Sequence, residues 1–371
     1  MASESRATAR AVRTGELTSR PRRRSALEQV LRRASIVPDE RFVAFPAPTG
    51  APPYRRRLAD VIGPDAMASI ARAGRMRFHA VGDTGGHIEP GPQRRVAAAM
   101  AAELRAPDPA RFFYHLGDIV YPHGEEANYR AQFLGAYADY AAPIFAIPGN
   151  HDAESTPSLE SFVNAFCTET PPLHDAGRPS RPPADQPHVY WTLTHDWVWI
   201  VGLYSNVPEG GQFEREQLDW MIGELRAAPR EAVVILALHQ PVYSTDITHG
   251  SNLDLADALD ECWARAGRRP DAVFTGHAHS YQRFARRVGD RSVPHIVAGA
   301  GGHHELHPVD LRVPPLPAAF PALPGVTLEA VVDDAHGFMT VTVAPGGATV
   351  EYTAVGRDGV QSADVFTIGS G

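Results

Sequence analysis

Five times along this 371-residue chain, an apolar run breaks off into a short turn that carries a side chain able to bind a metal. The breaks are Gly82-Asp83-Thr84-Gly85, Gly117-Asp118-Ile119-Val120-Tyr121, Gly149-Asn150-His151-Asp152, Leu236-Ala237-Leu238-His239 and Gly276-His277-Ala278-His279. Each follows a segment that reads as a buried strand: Met76–Gly82, Phe112–Leu116, Pro143–Ile147, Ala232–Leu238 and Ala272–Thr275. Helical periodicity at Gln93–Leu104, Phe213–Ala227 and Leu253–Ala266 lies between them. Strands alternating with helices predict an α/β architecture. We expect an αβ-sandwich of two packed mixed β-sheets flanked by helices. In such sheets ligands bind in the crevice beyond the carboxyl ends of the strands, so the five breaks are expected to meet at one site.

The residue types agree with one another. Carboxylates, an amide oxygen and imidazoles suit hard or borderline ions such as iron, manganese and zinc. One ion cannot use all of these groups in ordinary geometry, whereas two ions sharing a bridging carboxylate can. Gly-Asp alone is an ordinary turn dipeptide and a lone tyrosine an ordinary half-buried residue. What raises Asp83 and Asp118 above that reading is the presence, in order, of Asn150, His239, His277 and His279.

Composition narrows the partners. The net charge is −8, which argues against a nucleic-acid-binding surface. All 35 basic residues are Arg, so a phosphate clamp in this protein must come from Arg, His or metal. Two cysteines, Cys167 and Cys262, are too few for a disulfide scaffold. No apolar run approaches the length of a membrane span, and the Arg-rich start (Arg22, Arg23, Arg24) lacks the apolar stretch of an export signal. A cytoplasmic location is the expectation. No His-Glu-x-x-His segment is present, which disfavours a zinc peptidase.

The order and composition of the five segments resemble the calcineurin-like metallophosphoesterase superfamily, and within it the purple acid phosphatase type. The superfamily pattern opens Asp-x-His, but Gly85 stands where that His would be. Asp83-Thr84-Gly85, followed by Tyr121 three residues after Asp118, is similar to the purple acid phosphatase variant. The similarity runs from about Arg77 to Gly302 and takes in Gln217-Leu218-Asp219-Trp220, His239-Gln240-Pro241-Val242-Tyr243 and Ala298-Gly299-Ala300-Gly301.

The resemblance implies a metal-dependent phosphomonoester hydrolase of acid phosphatase type. It assigns Asp83, Tyr121 and His279 to a first metal, Asp118 to a bridge, and Asn150, His239 and His277 to a second. It implies Fe3+ at the first site, where a phenolate binds, and Fe2+, Zn2+ or Mn2+ at the second. His151, beside the Asn ligand, and His249 are implied as the substrate-facing catalytic imidazoles. A small phosphate ester is the expected substrate, with no membrane partner. A phosphodiesterase or nucleotide hydrolase on the same core is the alternative, and a metal-free binding scaffold is a further one.

The expected organisation is an Arg-rich N-terminal extension over residues 1–75, with short helices near Ser25–Val37 and Asp65–Arg72. A catalytic domain over 76–371 follows. Pro171–Pro187 and Pro308–Pro324 read as surface loops, and Phe338–Ala344 with Ala348–Val355 as a hairpin about Pro345-Gly346-Gly347. His303, His304 and His307 lack a helix or strand context and read as loop residues that at most rim the pocket. Arg283 reads either as a phosphate contact or as half of a salt bridge.

Overall fold

A computed structural model describes residues 45–154, 158–168, 182, 184–205, 213–310, 313–320 and 323–369. The expected helix at Ser25–Val37 and most of the loop at Pro171–Pro187 lie outside these residues.

Two mixed sheets pack face to face. In the six-stranded sheet, β2 (Met76–Val81), β3 (Ala110–His115) and β4 (Ile144–Ala146) run parallel, each one a site motif's approach strand. The antiparallel meander β13 (His336–Ala344), β14 (Gly347–Val355) and β15 (Val360–Ile368) continues this sheet from β2, so the expected hairpin is present. The nine-stranded sheet runs β1 (Arg55–Arg57), β5 (Trp191–His195), β6 (Val198–Gly202), β7 (Val233–Ala237), β8 (Ala272–Thr275), β10 (Arg291–Ala298), β9 (Tyr281–Val288), β12 (Val326–Val332), β11 (Ala318–Ala319). Strands β6, β7, β8 and β10 are parallel to one another.

Side-chain alternation explains why this sheet needs helices. In β7, Val233, Ile235 and Ala237 join the core shared with the six-stranded sheet. Val234 and Leu236 face a second core with Met221 and Leu225 of α6 (Arg215–Ala227) and Leu259 of α7 (Leu253–Ala266). A strand buried on both faces reads as a continuous apolar run, which is what this segment shows. Helix α7 begins at Asn252, whose side chain accepts the Leu255 N–H at 3.1 Å, and stops at the left-handed Gly267. On the other side, Val96, Ala97 and Met100 of α2 (Gly91–Glu103) cover the six-stranded sheet.

Between the sheets an aromatic series crosses from one to the other. Phe78 stacks on Phe112 at 4.6 Å, Phe112 meets Phe145 edge-on at 5.6 Å, and Phe145 contacts Trp191 at 5.5 Å. This fixes the spacing of the two strand bundles whose ends carry the motifs. Strand β1 adds to the far edge by parallel pairing with β5, and α1 (Leu58–Ala73) follows it. Arg55 holds β1 to α6 through two donors to the buried Glu224, at 2.9 and 2.8 Å. Among the described residues no helix is long and apolar enough to cross a membrane.

One buried histidine of the second layer has a consequence for acid stability. His295 of β10 is 3% exposed, its Nδ1–H donates to Val293 O, and its Nε2 has no hydrogen-bond partner. Burial pushes this imidazole down to about 3 from 6.5. Below pH 6.5 the unfolded chain therefore binds a proton that the folded chain refuses, and stability falls as pH drops. His295→Leu is expected to remove that proton. Between pH 7 and pH 5, wild type should lose about 2 kcal/mol more than the variant in urea unfolding. Equal losses in the two proteins would show that His295 is not held neutral.

Candidate metal centre

The site forms where β2, β3, β4, β7 and β8 end, and the local backbone departs from ordinary geometry there. Asp83, Asp118 and His277 all adopt left-handed conformations, with φ of 58°, 54° and 69°. Such residues cost about 1–3 kcal/mol each and persist only where the surroundings over-determine them. Here the surroundings do. Asp83 N donates to Gly117 O at 2.9 Å, Thr84 N to Asp118 O at 3.2 Å, and His277 N to the Asp83 carboxylate at 2.8 Å. His115 ties the first two turns together: it accepts from Gly117 N, and its Nε2–H donates to Thr84 Oγ1 at 2.8 Å. Burial holds His115 neutral, down to about 3.

Seven donor groups converge in two sets. In the first, the Tyr121 hydroxyl oxygen lies 3.4 Å from Asp83 Oδ1, 3.4 Å from His279 Nε2 and 3.3 Å from Asp118 Oδ2. His279 Nε2 is 3.6 Å from Asp83 Oδ1. In the second, His239 Nε2 lies 3.2 Å from Asp118 Oδ2 and 3.2 Å from Asn150 Oδ1, while His277 Nδ1 is 2.9 Å from Asn150 Oδ1. Asp118, His239 and His277 also present ligand atoms within 4.8 Å of one another. Asp118 Oδ2 belongs to both sets. All seven residues predicted as ligands are thus brought together.

Ring orientation is set by backbone acceptors. His239 Nδ1–H donates to Leu116 O at 2.8 Å and His279 Nδ1–H to Glu305 O at 2.9 Å, turning each Nε2 toward the centre. Tyr121 is clamped by Gln132, which accepts from Tyr121 N at 2.9 Å and donates to Tyr121 O at 2.6 Å. Gly85 is what makes room for this tyrosine: a Cβ there would lie 2.6 Å from Tyr121 Cδ2. The tyrosine ring in this position therefore goes with glycine at position 85.

The electrostatics favour cations. Burial pushes the Asp83 carboxyl well above the usual range, with His239 opposing. Burial alone would also raise Asp118, but the imidazole of His239 holds it far below the carboxylate range. His239 is in turn pushed up to about 9: burial lowers it, and the Asp118 and Asp83 charges more than reverse that. Burial and neighbouring imidazoles hold His277 and His279 well below 6.5, so their lone pairs stay free. Buried carboxylates need a partner cation, and metal at His239 Nε2 would take the place of its proton. Donor separations of 3.3–3.6 Å in the first set match the edges around one ion with bonds of about 2.0–2.2 Å. The donor set fits two metal ions sharing Asp118.

Of the two predicted catalytic histidines, His151 packs at 4.5 Å on the Tyr121 ring and donates from Nδ1 to Pro122 O at 2.6 Å. His249 lies 4.0 Å from the His277 ring, part-exposed, with its backbone N–H held by Asp246. Both flank the centre, one on each set of donors. Arg283 does not: it is paired with Asp364 at 2.7 Å and also with Glu329.

Several supporting residues carried no assignment from the sequence. Asp152 is fully buried and accepts from Ile119 N at 3.0 Å and Gly149 N at 2.9 Å, bracing the second and third motifs. Its place inside Gly149-Asn150-His151-Asp152, an acidic residue in the first helical turn, is the available signal. His303 and His307 do lie on a loop, His303 part-exposed and His307 buried. His307 stacks on His279 at 4.0 Å, and His303 packs against His279 at 4.3 Å. Hydrogen bonds from Gly301 N to Gly82 O and from His303 N to Asp83 O fold this loop inward, a contact that spacing does not reveal.

Comparison with known proteins agrees with this geometry. Residues 76–281 match the sequence model of a family described as calcineurin-like phosphoesterase. Purple acid phosphatase 22 of Arabidopsis thaliana is 32% identical over 186 residues, covering 47% of this chain and 40% of that protein. Fe(3+)-Zn(2+) purple acid phosphatase 12 of the same plant is 22% identical over 227 residues, covering 54% of this chain and 46% of that protein. The aligned part thus spans less than half the length of these relatives. The purple acid phosphatase PPD1 from yellow lupin (Lupinus luteus) seeds superposes with a TM-score of 0.60 at 15% identity, covering 80% of this chain and 54% of that one, which shows a shared fold.

Proposed function

This chain belongs to the calcineurin-like phosphoesterase family, and from that premise we propose that it is a phosphomonoester hydrolase with a dinuclear centre of purple acid phosphatase type. The observation that carries the reading is Asp118 Oδ2, which stands in both donor sets, with Tyr121 on one side and Asn150 linked through His239 on the other. Asp83, Tyr121 and His279 are the ligands of the first metal, Asn150, His239 and His277 of the second, and Asp118 bridges. A phenolate favours Fe3+ at the first site, and the imidazole–amide set suits Fe2+, Zn2+ or Mn2+ at the second. A relative named for an Fe(3+)-Zn(2+) pair supports that choice. We take residues 76–371 as the catalytic unit and residues 1–75 as an Arg-rich N-terminal extension, whose β1 pairs with β5 along the nine-stranded sheet.

When bound, such a pair of ions neutralises phosphoryl charge and makes water acidic enough to act as a nucleophile near neutral pH. The protein's own groups do the rest. Left-handed turns at Asp83, Asp118 and His277 hold the donors in place before substrate arrives, and the buried walls keep bulk water from the ligand oxygens. His151 has Nδ1–H committed to Pro122 O, so its Nε2 is the atom that can carry a proton to the leaving oxygen. Burial pushes His249 down to about 4. It is neutral near pH 7 and serves there as a hydrogen-bond partner rather than an acid.

The test combines metal content, visible absorption and hydrolysis of 4-nitrophenyl phosphate against its bis-ester. We expect about two metal ions per chain, a broad visible band, and preference for the monoester. Tyr121→Phe should lose the band. Two metals without a band would remove the iron–tyrosinate assignment, and preference for the bis-ester would move the reading to a phosphodiesterase. No stoichiometric metal after reconstitution with iron, zinc and manganese would leave only a scaffold.

A further inference from the structure

The loop that follows β10 brings a third imidazole to the mouth of the centre. His303 is fixed at its backbone on both sides: its N–H donates to Asp83 O at 2.9 Å, and its carbonyl accepts from His336 Nε2 at 2.7 Å. Its ring lies 4.6 Å from the Tyr121 ring and 4.3 Å from that of His279, and it stays part-exposed. Tyr121 thus has His151 at 4.5 Å and His303 at 4.6 Å, two imidazoles beside one ligand. His303 Nδ1 lies 3.4 Å from the Glu305 N–H and 3.5 Å from the Glu305 carbonyl oxygen, and the tautomer in which Nδ1 accepts carries the ring proton on Nε2.

The chemistry of the chain gives this placement a use. There is no lysine in the sequence, and Arg283, the arginine nearest to the last motif in sequence, is committed to Asp364 and Glu329. The side chains packed on the Tyr121 ring from this mouth are the imidazoles of His151 and His303. His249 stands over His277, in the second donor set. We propose that His303 is a substrate-positioning residue on the Tyr121 side, whose Nε2–H donates to a non-bridging phosphoryl oxygen of a bound phosphomonoester and of the released phosphate. The inference rests on the phosphomonoesterase reading above. It assigns His303 to binding rather than to proton transfer at the leaving group.

The two roles separate kinetically. In metal-loaded His303→Ala, KM for 4-nitrophenyl phosphate and the inhibition constant of inorganic phosphate should rise together by about tenfold, the effect of one hydrogen bond to a charged group. kcat should move by less than about threefold, since the interaction is present in ground and transition states alike. His303→Gln, which keeps an N–H donor, should recover most of the loss, and metal content should equal wild type in both variants. Unchanged KM and phosphate inhibition in His303→Ala would overturn the assignment. So would an equal loss of metal and kcat in both variants, which would mean that the ring only props Tyr121 and His279. Calorimetric titration of inorganic phosphate separates the two levels of inference. If phosphate binds wild type and binds His303→Ala more weakly, while neither hydrolyses esters, His303 stands and the hydrolase reading falls. If esters are hydrolysed but phosphate binding ignores the substitution, the reverse holds.

Discussion

Asp118→Asn is expected to lower kcat/KM for a phosphomonoester by about a thousandfold or more, and to reduce the bound metal below two per chain. The substitution keeps size and shape. Asp118 Oδ1 accepts the His151 N–H at 3.0 Å, and an amide oxygen does this equally well. The amide nitrogen then takes the place of Oδ2, 3.2 Å from His239 Nε2 and 3.3 Å from the Tyr121 hydroxyl. His239, with its Nδ1–H on Leu116 O, can accept from that amide, so no buried group is stranded and the fold should hold. What is lost is the one anionic oxygen common to both donor sets. The check is metal analysis and steady-state kinetics, with thermal unfolding as the control. A variant that keeps two metals and more than a tenth of the activity would show that Asp118 does not bridge.

The proposed ligands were legible in the sequence because each is local: one apolar run, one sharp turn, one polar side chain, repeated in order. Central strands were legible for a related reason. Val233–Ala237 is buried on both faces and so has no alternation to confuse with a helix. The edges were not. Strand β1 is three arginines, and β15 is exposed along most of its length, so neither carries an apolar signal. Tyr281–Val288 carried no strand assignment, yet it is a strand paired on both sides. The segment around Asn128–Tyr140, whose sequence reads as helical stretches, forms a short α-turn at Glu126–Tyr129 followed by a π-turn at Arg130–Leu134. That departure coincides with Gln132, whose side chain points inward to hold the Tyr121 backbone instead of following a regular helical face.

The groups around the ligands were hidden because their partners are distant in the chain. Asp152 acts on Ile119, His115 on Thr84 and His303 on Asp83. None of these pairs leaves a periodic trace. Only the fold brings them together, and for Asp152 and His303 it does so through backbone groups that any residue would supply at the partner position.

Gly149→Ala should be the second severe substitution, with stability lower by about 3 kcal/mol and activity at least about a hundredfold down. The cost is not conformational. Gly149 sits at φ −100° and ψ −171°, extended backbone that alanine adopts freely. The cost is space: a Cβ would lie 2.1 Å from Asp118 Oδ1 and 2.5 Å from Asp118 N. Neither atom can yield cheaply, because that oxygen holds the His151 N–H and the backbone nitrogen belongs to a left-handed turn. The motif must instead slide outward, carrying Asn150 from His239 and His277 and breaking the Gly149 N–H bond to Asp152. Gly223→Ala on α6 is the matched control. Nothing lies within 4 Å of a Cβ there, so the same methyl in a helix should raise stability by about 1 kcal/mol and leave activity alone. Chemical unfolding and metal content of the two variants side by side distinguish the cases. If Gly149→Ala matches wild type in both, then close backbone approach is not what holds Asn150 at ligand distance, and the donor spacing must be set by the ligands alone.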